Sequence, residues 1–341
     1  MNSTNHQQDI DFVITWVDGN DPAWKTQKMH YLSELSDRDT IAKQGDYRFR
    51  DWELLHYWFR AVEKYAPWVR KIHFVTCGQI PEWMNVEHPK LHLVQHSDYI
   101  PMEYLPTFNS HTIEVNFHRI EGLAEQFVYF NDDTFLTREV TPEDFFINGL
   151  PKDVFALDSI FCKTESSGCY ICNDMEIIND YFIKAEQFKK HWKKWFHLSY
   201  GLKQLYRTIV LSPWKWFPGF YYQHLSGNFL KSTYEKVWNI AGEVLHETSK
   251  NKFRAKNQVN QWLFKYWQLA EGQFMPSSSS FGHCYHLENS DVTNICMAIK
   301  NKRYGVICIN DTNLTTDFEG KKARISEAFY SVLPCRSSFE K

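Results

Sequence analysis

Apolar residues crowd into short runs at 10–17 (IDFVITWV), 71–76 (KIHFVT), 91–96 (LHLVQH), 127–131 (FVYFN) and 304–311 (YGVICIND), several of them closed by polar or turn-forming residues. Runs of this length, rich in Val, Ile and Phe, predict strands. The segment 52–65 (WELLHYWFRAVEKY) instead spaces its apolar residues by three and four, and Pro67 follows it, which predicts a helix. Further helices are expected over 110–123, over most of 184–213 and over 256–271. Strand, helix and strand in that order predict parallel pairing and an α/β, Rossmann-like core. Residues 1–160 and 275–341 are expected to form that core, with 161–274 as a mainly helical insertion.

One apolar run is interrupted. In FVYFNDDTFL (127–136), Asn131, Asp132 and Asp133 break a pattern that resumes at Phe135 and Leu136. Burying ionised carboxylates costs several kcal/mol each unless a cation or donors compensate them. Two readings stand. Asn and Asp tolerate tight turns, so the triplet can simply join two strands. Alternatively it is an acidic cluster at the carboxyl edge of an open α/β sheet, where ligands and metals bind. The run 304–311 also ends in an Asn-Asp pair, Asn310-Asp311, and two such ends on one parallel edge favour the cluster.

Composition narrows the class. The chain has 341 residues, of which 43% are hydrophobic and 17% aromatic, enough for a packed core. A formal charge of -3 gives no signature of a nucleic-acid binder. The amino-terminal residues show no basic, apolar secretory pattern, and no stretch is long and apolar enough to span a bilayer, so a cytoplasmic protein is expected. Eight cysteines fit reduced thiols. Cys162, Cys169 and Cys172 contain one C-x-x-C, but no second pair follows at zinc-finger spacing. The stretch 184–222 interleaves Lys189, Lys190, Lys193 and Lys194 with Phe188, Trp192, Trp195 and Phe196. Such a helix suits peripheral contact with the inner face of a plasma membrane; equally, it is a core helix whose lysines reach water.

Polar groups gather at predicted element ends: Asp18 and Asp21, Arg48 and Arg50 with Asp51, Asn109, Glu114, Asp132 and Asp133, then His224, Arg254 and Asp311. Arginines beside carboxylates suit an anionic substrate carrying a divalent cation. Each also has a plain structural reading, Arg48 and Arg50 as surface partners of nearby acids and His224 as a satisfied interior histidine. No glycine-rich phosphate loop of the P-loop or dinucleotide type occurs, and no G-x-S-x-G elbow.

Longer motifs go further. FVITWVDGNDP (12–22), RFRDWELLHYWFRAVEKYAPWVRKIHFVTCGQIPEWMN (48–85) with LPTFNSHTIEVNFHRIEGLAEQFVYFNDDTFL (105–136), FRAKNQVNQWLFKYWQLAEGQF (253–274), and VICINDT with LPCRSSFE resemble the four conserved regions of the Stealth family, in family order. The resemblance implies a nucleotide-sugar-binding core similar to a GT-A glycosyltransferase. It implies transfer of a sugar 1-phosphate, commonly from a UDP-sugar, to a hydroxyl of a polysaccharide or lipid-linked oligosaccharide, with release of the nucleoside monophosphate. Family residues important for activity fall on Glu114, Asp133, His224 and Arg254, while Asp18, Arg48 and Asn109 match positions of the donor pocket. Asp21, Arg50 and Asp132 are further candidates for substrate binding. Asp133 with Asp311 is expected to hold Mg²⁺ or Mn²⁺, since hard cations take carboxylate oxygen. Arg254 is expected to stabilise transferring charge, and His224 to act as general base with Glu114 orienting it or the acceptor, although Asp133 and His224 could exchange roles. The competing expectations are a conventional glycosyltransferase releasing UDP and a non-catalytic glycan-binding module.

Overall fold

The computed structural model describes residues 9–35, 49–161 and 167–341; Arg48 and Cys162 lie outside them. The apolar runs become strands β1 (Ile10–Thr15), β2 (Ile72–Thr76), β3 (Leu91–Gln95) and β4 (Gln126–Phe130), within a residue or two of the expected bounds. They pair in parallel in the order β3-β2-β1-β4, the strand order of a Rossmann half. Between β1 and β2 runs α2 (Leu55–Tyr65), preceded by α1 (Pro22–Ser33). On α2 the buried residues Leu55, Trp58, Phe59 and Val62 follow the i, i+3, i+4, i+7 stripe that the sequence displays. Trp58 packs edge-on to Phe130 of β4, and Phe12 of β1 lies 4.9 Å from Phe130 between ring centroids. Aromatic pairs of this kind add about 1 kcal/mol each beyond their buried area.

Two expectations change. Strand β5 (Thr134–Leu136) leaves the main sheet and pairs antiparallel with β8 (Val306–Asn310), which is parallel to β7 (Gly282–His286) in a separate three-stranded sheet. The Asn-Asp ends of β4 and β8 therefore do not share one parallel edge. Apolar runs report that a strand is buried, not which sheet receives it. Second, the region expected as a helical insertion supplies β6 (Gly227–Leu230), which closes the main sheet antiparallel to β4. Around that strand, residues 167–274 carry α4 (Gly168–Tyr181), α5 (Lys184–Trp195), α6 (Leu202–Leu211), α7 (Lys231–Lys250) and α8 (Trp262–Glu271). The expected helix over 110–123 is shorter, α3 (Ser110–Val115) followed by a single 3-10 turn. Helices α9 (Val292–Lys300) and α10 (Phe318–Val332) cover the second sheet.

Two hydrophobic clusters flank the main sheet. One joins its α2 face to the second sheet, and the other joins the opposite face to α4, α7 and α8. The chain crosses from the first sheet to the second at Asn131–Asp133. No helix among the described residues is long and apolar enough to cross a membrane.

Candidate active site

The crossing explains the acidic interruption. Thr134 donates from both its N–H (3.0 Å) and its Oγ1 (2.7 Å) to the Asn131 carbonyl, and Ile309 N–H donates to the Asp133 carbonyl at 2.9 Å. Asn131–Thr134 is thus a tight turn, and it also forms part of a cavity of about 790 Å³ at the carboxyl end of the sheet. The triplet is thus a turn whose side chains line a cavity.

Two acids near the ends of the main sheet differ in how they are satisfied. At the other end of β1, Asp11 is fully buried and accepts from Arg70, from His73 at 2.8 Å and from the Ala124 N–H at 2.9 Å. Burial pushes its carboxyl up, but the His73 and Arg70 bonds outweigh that and hold it below the ordinary carboxylate range. Asp133, by contrast, places Oδ2 3.3 Å from His224 Nε2 and 3.3 Å from the Cys308 thiol, while Oδ1 is buried with no hydrogen-bond partner among the described residues. Native proteins leave few buried polar atoms in that state.

A polar chain spans the cavity wall from this acid. His224, in the loop before β6, lies 3.3 Å from the Asn131 amide nitrogen. The Asn131 oxygen accepts from the Tyr129 hydroxyl, which also reaches Glu114 Oε1 at 3.4 Å. Glu114 sits on α3 one turn from Ser110, and Ser110 Oγ accepts from Arg254 at 2.6 Å. Burial pushes the Glu114 carboxyl up against the opposing pull of Arg254, Ser110 and His224. For His224, burial disfavours the charged ring, but the Asp133 carboxylate overrides it and pushes the imidazole up to about 9. The pairing therefore favours the charged ring. Asp132 opens onto the cavity. Although its side chain is exposed to the cavity, desolvation there, then the neighbouring Asp133 and Asp51 carboxylates, push it up to about 7.

Arg254 is held by its surroundings. Phe253 is buried and stacks on Phe108 with centroids 5.2 Å apart, Phe108 N–H donates to the Lys252 carbonyl at 2.9 Å, and Gln258 Nε2 donates to the Phe253 carbonyl at 3.0 Å. The fully buried Asp174 fastens the same loop by accepting from Asn260 N–H.

The remaining candidates divide. Arg50 lines the cavity, and its Nη2 lies 2.9 and 3.0 Å from the two Asp311 oxygens and donates to the Thr312 carbonyl at 3.1 Å; Trp52 Nε1 donates to Asp311 Oδ2 at 3.3 Å. A Cβ on Gly19 would lie 2.0 Å from the Phe49 carbonyl oxygen, so glycine there lets the Phe49–Trp52 segment pack against the turn after β1. Asp311 is thereby committed to Arg50 and Trp52. It stands outside the group of Asp133, His224 and Cys308, whose ligand atoms all lie within 4.8 Å of one another. Asp311, expected to share a cation with Asp133, instead has both its oxygens engaged by Arg50 and Trp52. Asn109 is wholly buried and does not line the cavity. It caps α3 through His111 N–H at 3.2 Å and ties it to the Asn251 carbonyl at 3.0 Å, a scaffolding role. Asp21 caps α1 through Ala23 N–H at 2.8 Å and accepts from Gln79 at 3.0 Å, while Asp18 accepts from Asn20 N–H at 2.8 Å within the same turn; neither lines the cavity. Arg48 lies outside the described residues.

Sequence reasoning missed Tyr129, Cys308 and Trp262. Cys308 reaches Asp133 because the antiparallel register sets it opposite Thr134, and no spacing in the sequence encodes that register. Trp262, 6.4 Å from the His224 ring and 4.9 Å from Tyr222, gives the cavity an aromatic wall beside the imidazole. Both aromatics fall in the helical and loop segments that the sequence shows as ordinary core.

Two family models match the chain: Stealth protein CR1, conserved region 1, over residues 8–35, and Stealth protein CR2, conserved region 2, over residues 48–153. A capsular polysaccharide phosphotransferase, WcwK, of Streptococcus pneumoniae is 42% identical over 98% of this chain and 99% of its own length. A receptor polysaccharide phosphotransferase, WefC, of Streptococcus gordonii is 40% identical over 97% of this chain and 98% of its own. An exopolysaccharide phosphotransferase, cps2G, of Lactiplantibacillus plantarum is 39% identical over 98% and 96%. Among solved structures, the galactosyltransferase LgtC in complex with donor and acceptor sugar analogs overlaps 96% of this chain and 98% of its own, with a TM-score of 0.41 and 10% identity. The two conserved regions and the near full-length relatives agree with the acidic, arginine-lined cavity: the chain belongs to the Stealth family and is a phosphotransferase.

Proposed function

We propose that the enzyme transfers a sugar 1-phosphate, a hexose or N-acetylhexosamine 1-phosphate, from a UDP-sugar to a hydroxyl of a growing capsular or extracellular polysaccharide. The product is a phosphodiester and the leaving group is UMP. The observation that carries this reading is the convergence of Asp133, His224 and Arg254 on one cavity, together with relatives named as polysaccharide phosphotransferases. Phosphoryl transfer asks a protein chiefly for alignment and for positive charge on the phosphate oxygens.

In this mechanism the acceptor oxygen attacks the phosphorus that bears the sugar, and the bond from that phosphorus to UMP breaks. The acceptor proton passes to Asp132. Arg254 faces the oxygens on which charge develops, and Glu114 keeps that guanidinium in place. His224, charged through Asp133, donates to the phosphate or leaving group. Trp262 and Tyr222 suit the apolar face of a sugar ring. Of the atoms around Asp133, the partnerless Oδ1 is the one that fits a hard cation, since Mg²⁺ is commonly held by one or two carboxylates plus substrate phosphates and water. The imidazole and thiol beside it suit softer metals. Mg²⁺ or Mn²⁺ held by Asp133 would neutralise the diphosphate.

The direct test is to incubate the purified protein with UDP-N-acetylglucosamine or UDP-glucose and a polysaccharide acceptor, and to identify the released nucleotide. UMP is expected, with turnover abolished by EDTA and restored by Mg²⁺ or Mn²⁺. Release of UDP would instead make the protein a conventional glycosyltransferase, and undiminished turnover in EDTA would remove the cation.

The charge on His224 can be checked separately. In metal-free protein, the His224 ring followed by NMR is expected to titrate near 9, protonated below that value and neutral above it. In Asp133→Asn the favourable carboxylate is gone while burial remains, so the midpoint should fall by more than about two units. A midpoint unmoved by the substitution would show that the pair is not coupled.

A further inference from the structure

Helix α6 is built inside out. Its fully buried positions are polar, Gln204 and Thr208, with Thr208 Oγ1 accepting from the Leu157 N–H at 3.2 Å, while Leu205 and Leu211 pack half-buried against the core. Its outward positions are apolar: Leu202, Tyr206, Ile209 and Val210 are 44 to 84% exposed. Leu198 before the helix and Trp214 and Trp216 after it extend the same exposed apolar surface. Folding does not account for this arrangement, since a surface helix ordinarily turns its apolar stripe inward. The stripe is nevertheless firmly presented. The buried Lys184 at the start of α5 donates to the carbonyls of Leu211, Ser212 and Trp214 at 3.1, 2.9 and 2.8 Å, locking the end of α6 against α5.

Charge indicates what covers the patch. Residues 184–216 carry eight lysines and arginines against one acid, Glu186, in a chain whose overall charge is -3. Three of the eight are engaged: Lys184 as above, Lys194 with the carbonyls of Gly272 and Phe274, and Arg207 with Asp158. The other five, Lys189, Lys190 and Lys193 on α5, Lys203 on α6 and Lys215 after it, are exposed, Lys193 and Lys215 each over the ring of a neighbouring tryptophan. A second copy of the chain meeting this face would oppose lysine to lysine. An anionic lipid surface would neutralise them and receive the leucines and tryptophans at the headgroup boundary, where aromatic rings partition favourably.

We propose that α5, α6 and the Trp214–Trp216 turn form a docking surface for an anionic bilayer, with the apolar stripe of α6 inserted and the lysines on lipid headgroups. This surface lies outside the cavity described above and does not depend on the reaction assigned there.

Vesicle sedimentation of the full chain tests it. Binding to phosphatidylglycerol–phosphatidylcholine vesicles is expected, and binding to pure phosphatidylcholine should be much weaker. Lys189→Glu and Lys190→Glu together should reduce partitioning by at least about fivefold per residue. Leu202→Asp with Ile209→Asp should reduce it at least about tenfold, while turnover with a water-soluble acceptor stays unchanged. Both positions are exposed, so the fold should tolerate them; an unaltered circular dichroism melt verifies this. Equal binding by wild type and both variants overturns the proposal. So does absence of vesicle binding, including the case in which the wild type dimerises and Leu202→Asp/Ile209→Asp does not, which would make the patch a self-association face. Because vesicle binding is read without nucleotide sugar, its failure is distinguishable from failure of the assigned reaction.

Discussion

Asp133→Asn is expected to lower kcat by a factor of about a thousand or more, equivalent to about 4 kcal/mol of transition-state stabilisation. The side chain keeps its size, and the turn that holds it is made by backbone and Thr134 contacts that do not involve the carboxylate. The melting temperature should therefore stay close to that of the wild type. What disappears is the negative charge between His224 and the partnerless Oδ1 position. An amide there cannot sustain the imidazolium, and it offers a cation only a neutral oxygen. Steady-state kinetics on the purified variant, with its melt recorded alongside, would measure both effects. A rate within a few-fold of wild type would remove Asp133 from the reaction.

Arg254→Ala is the second large expectation, with a loss of turnover on the order of a thousandfold, the range seen when a guanidinium is removed from a phosphoryl-transfer site. Here the removal has two effects. It deletes positive charge from the cavity, and it deletes the group that opposes burial at Glu114, whose carboxyl should then rise further. Arg254→Lys would restore charge but not the bond to Ser110 with its neighbouring donors, so partial recovery of kcat is expected. The packing of Phe253 on Phe108 remains in either variant, which keeps the loop in place. If Arg254→Ala raised KM alone and left kcat unchanged, the arginine would be a binding group and not a stabiliser of the transferring charge.

The aromatic wall, the pairing of Asp311 with Arg50 and the charge state of His224 refine how such a cavity handles its substrate. Arg50, a substrate-binding candidate in the sequence, spends its guanidinium on Asp311 and Thr312, 261 and 262 residues away in the chain. That bond leaves Arg254 and Lys256 as the other arginine and lysine among the described residues that line the cavity.

The sequence by itself determined the strands β1 to β4 and β8, the buried stripe of α2, the family, and the positions of Glu114, Asp133, His224 and Arg254. These are legible because burial imposes a period of two or of three to four on neighbouring residues, and because long motifs preserve their order whatever the fold does with them. Only the tertiary structure decided that β8 belongs to a second sheet, that β6 joins the first, that Asp311 answers to Arg50, and that Cys308 stands beside Asp133. It also decided that Asn109 is a helix cap and that Asp18 and Asp21 serve a turn. Each of these depends on which edge a strand pairs with and in which register, or on which of several polar groups comes nearest once the chain is closed. Such choices are made between residues far apart in sequence, where hydrophobic periodicity carries no information. The same limit applies to α6, whose apolar stripe reads as a core-facing helix until its neighbours show it turned outward.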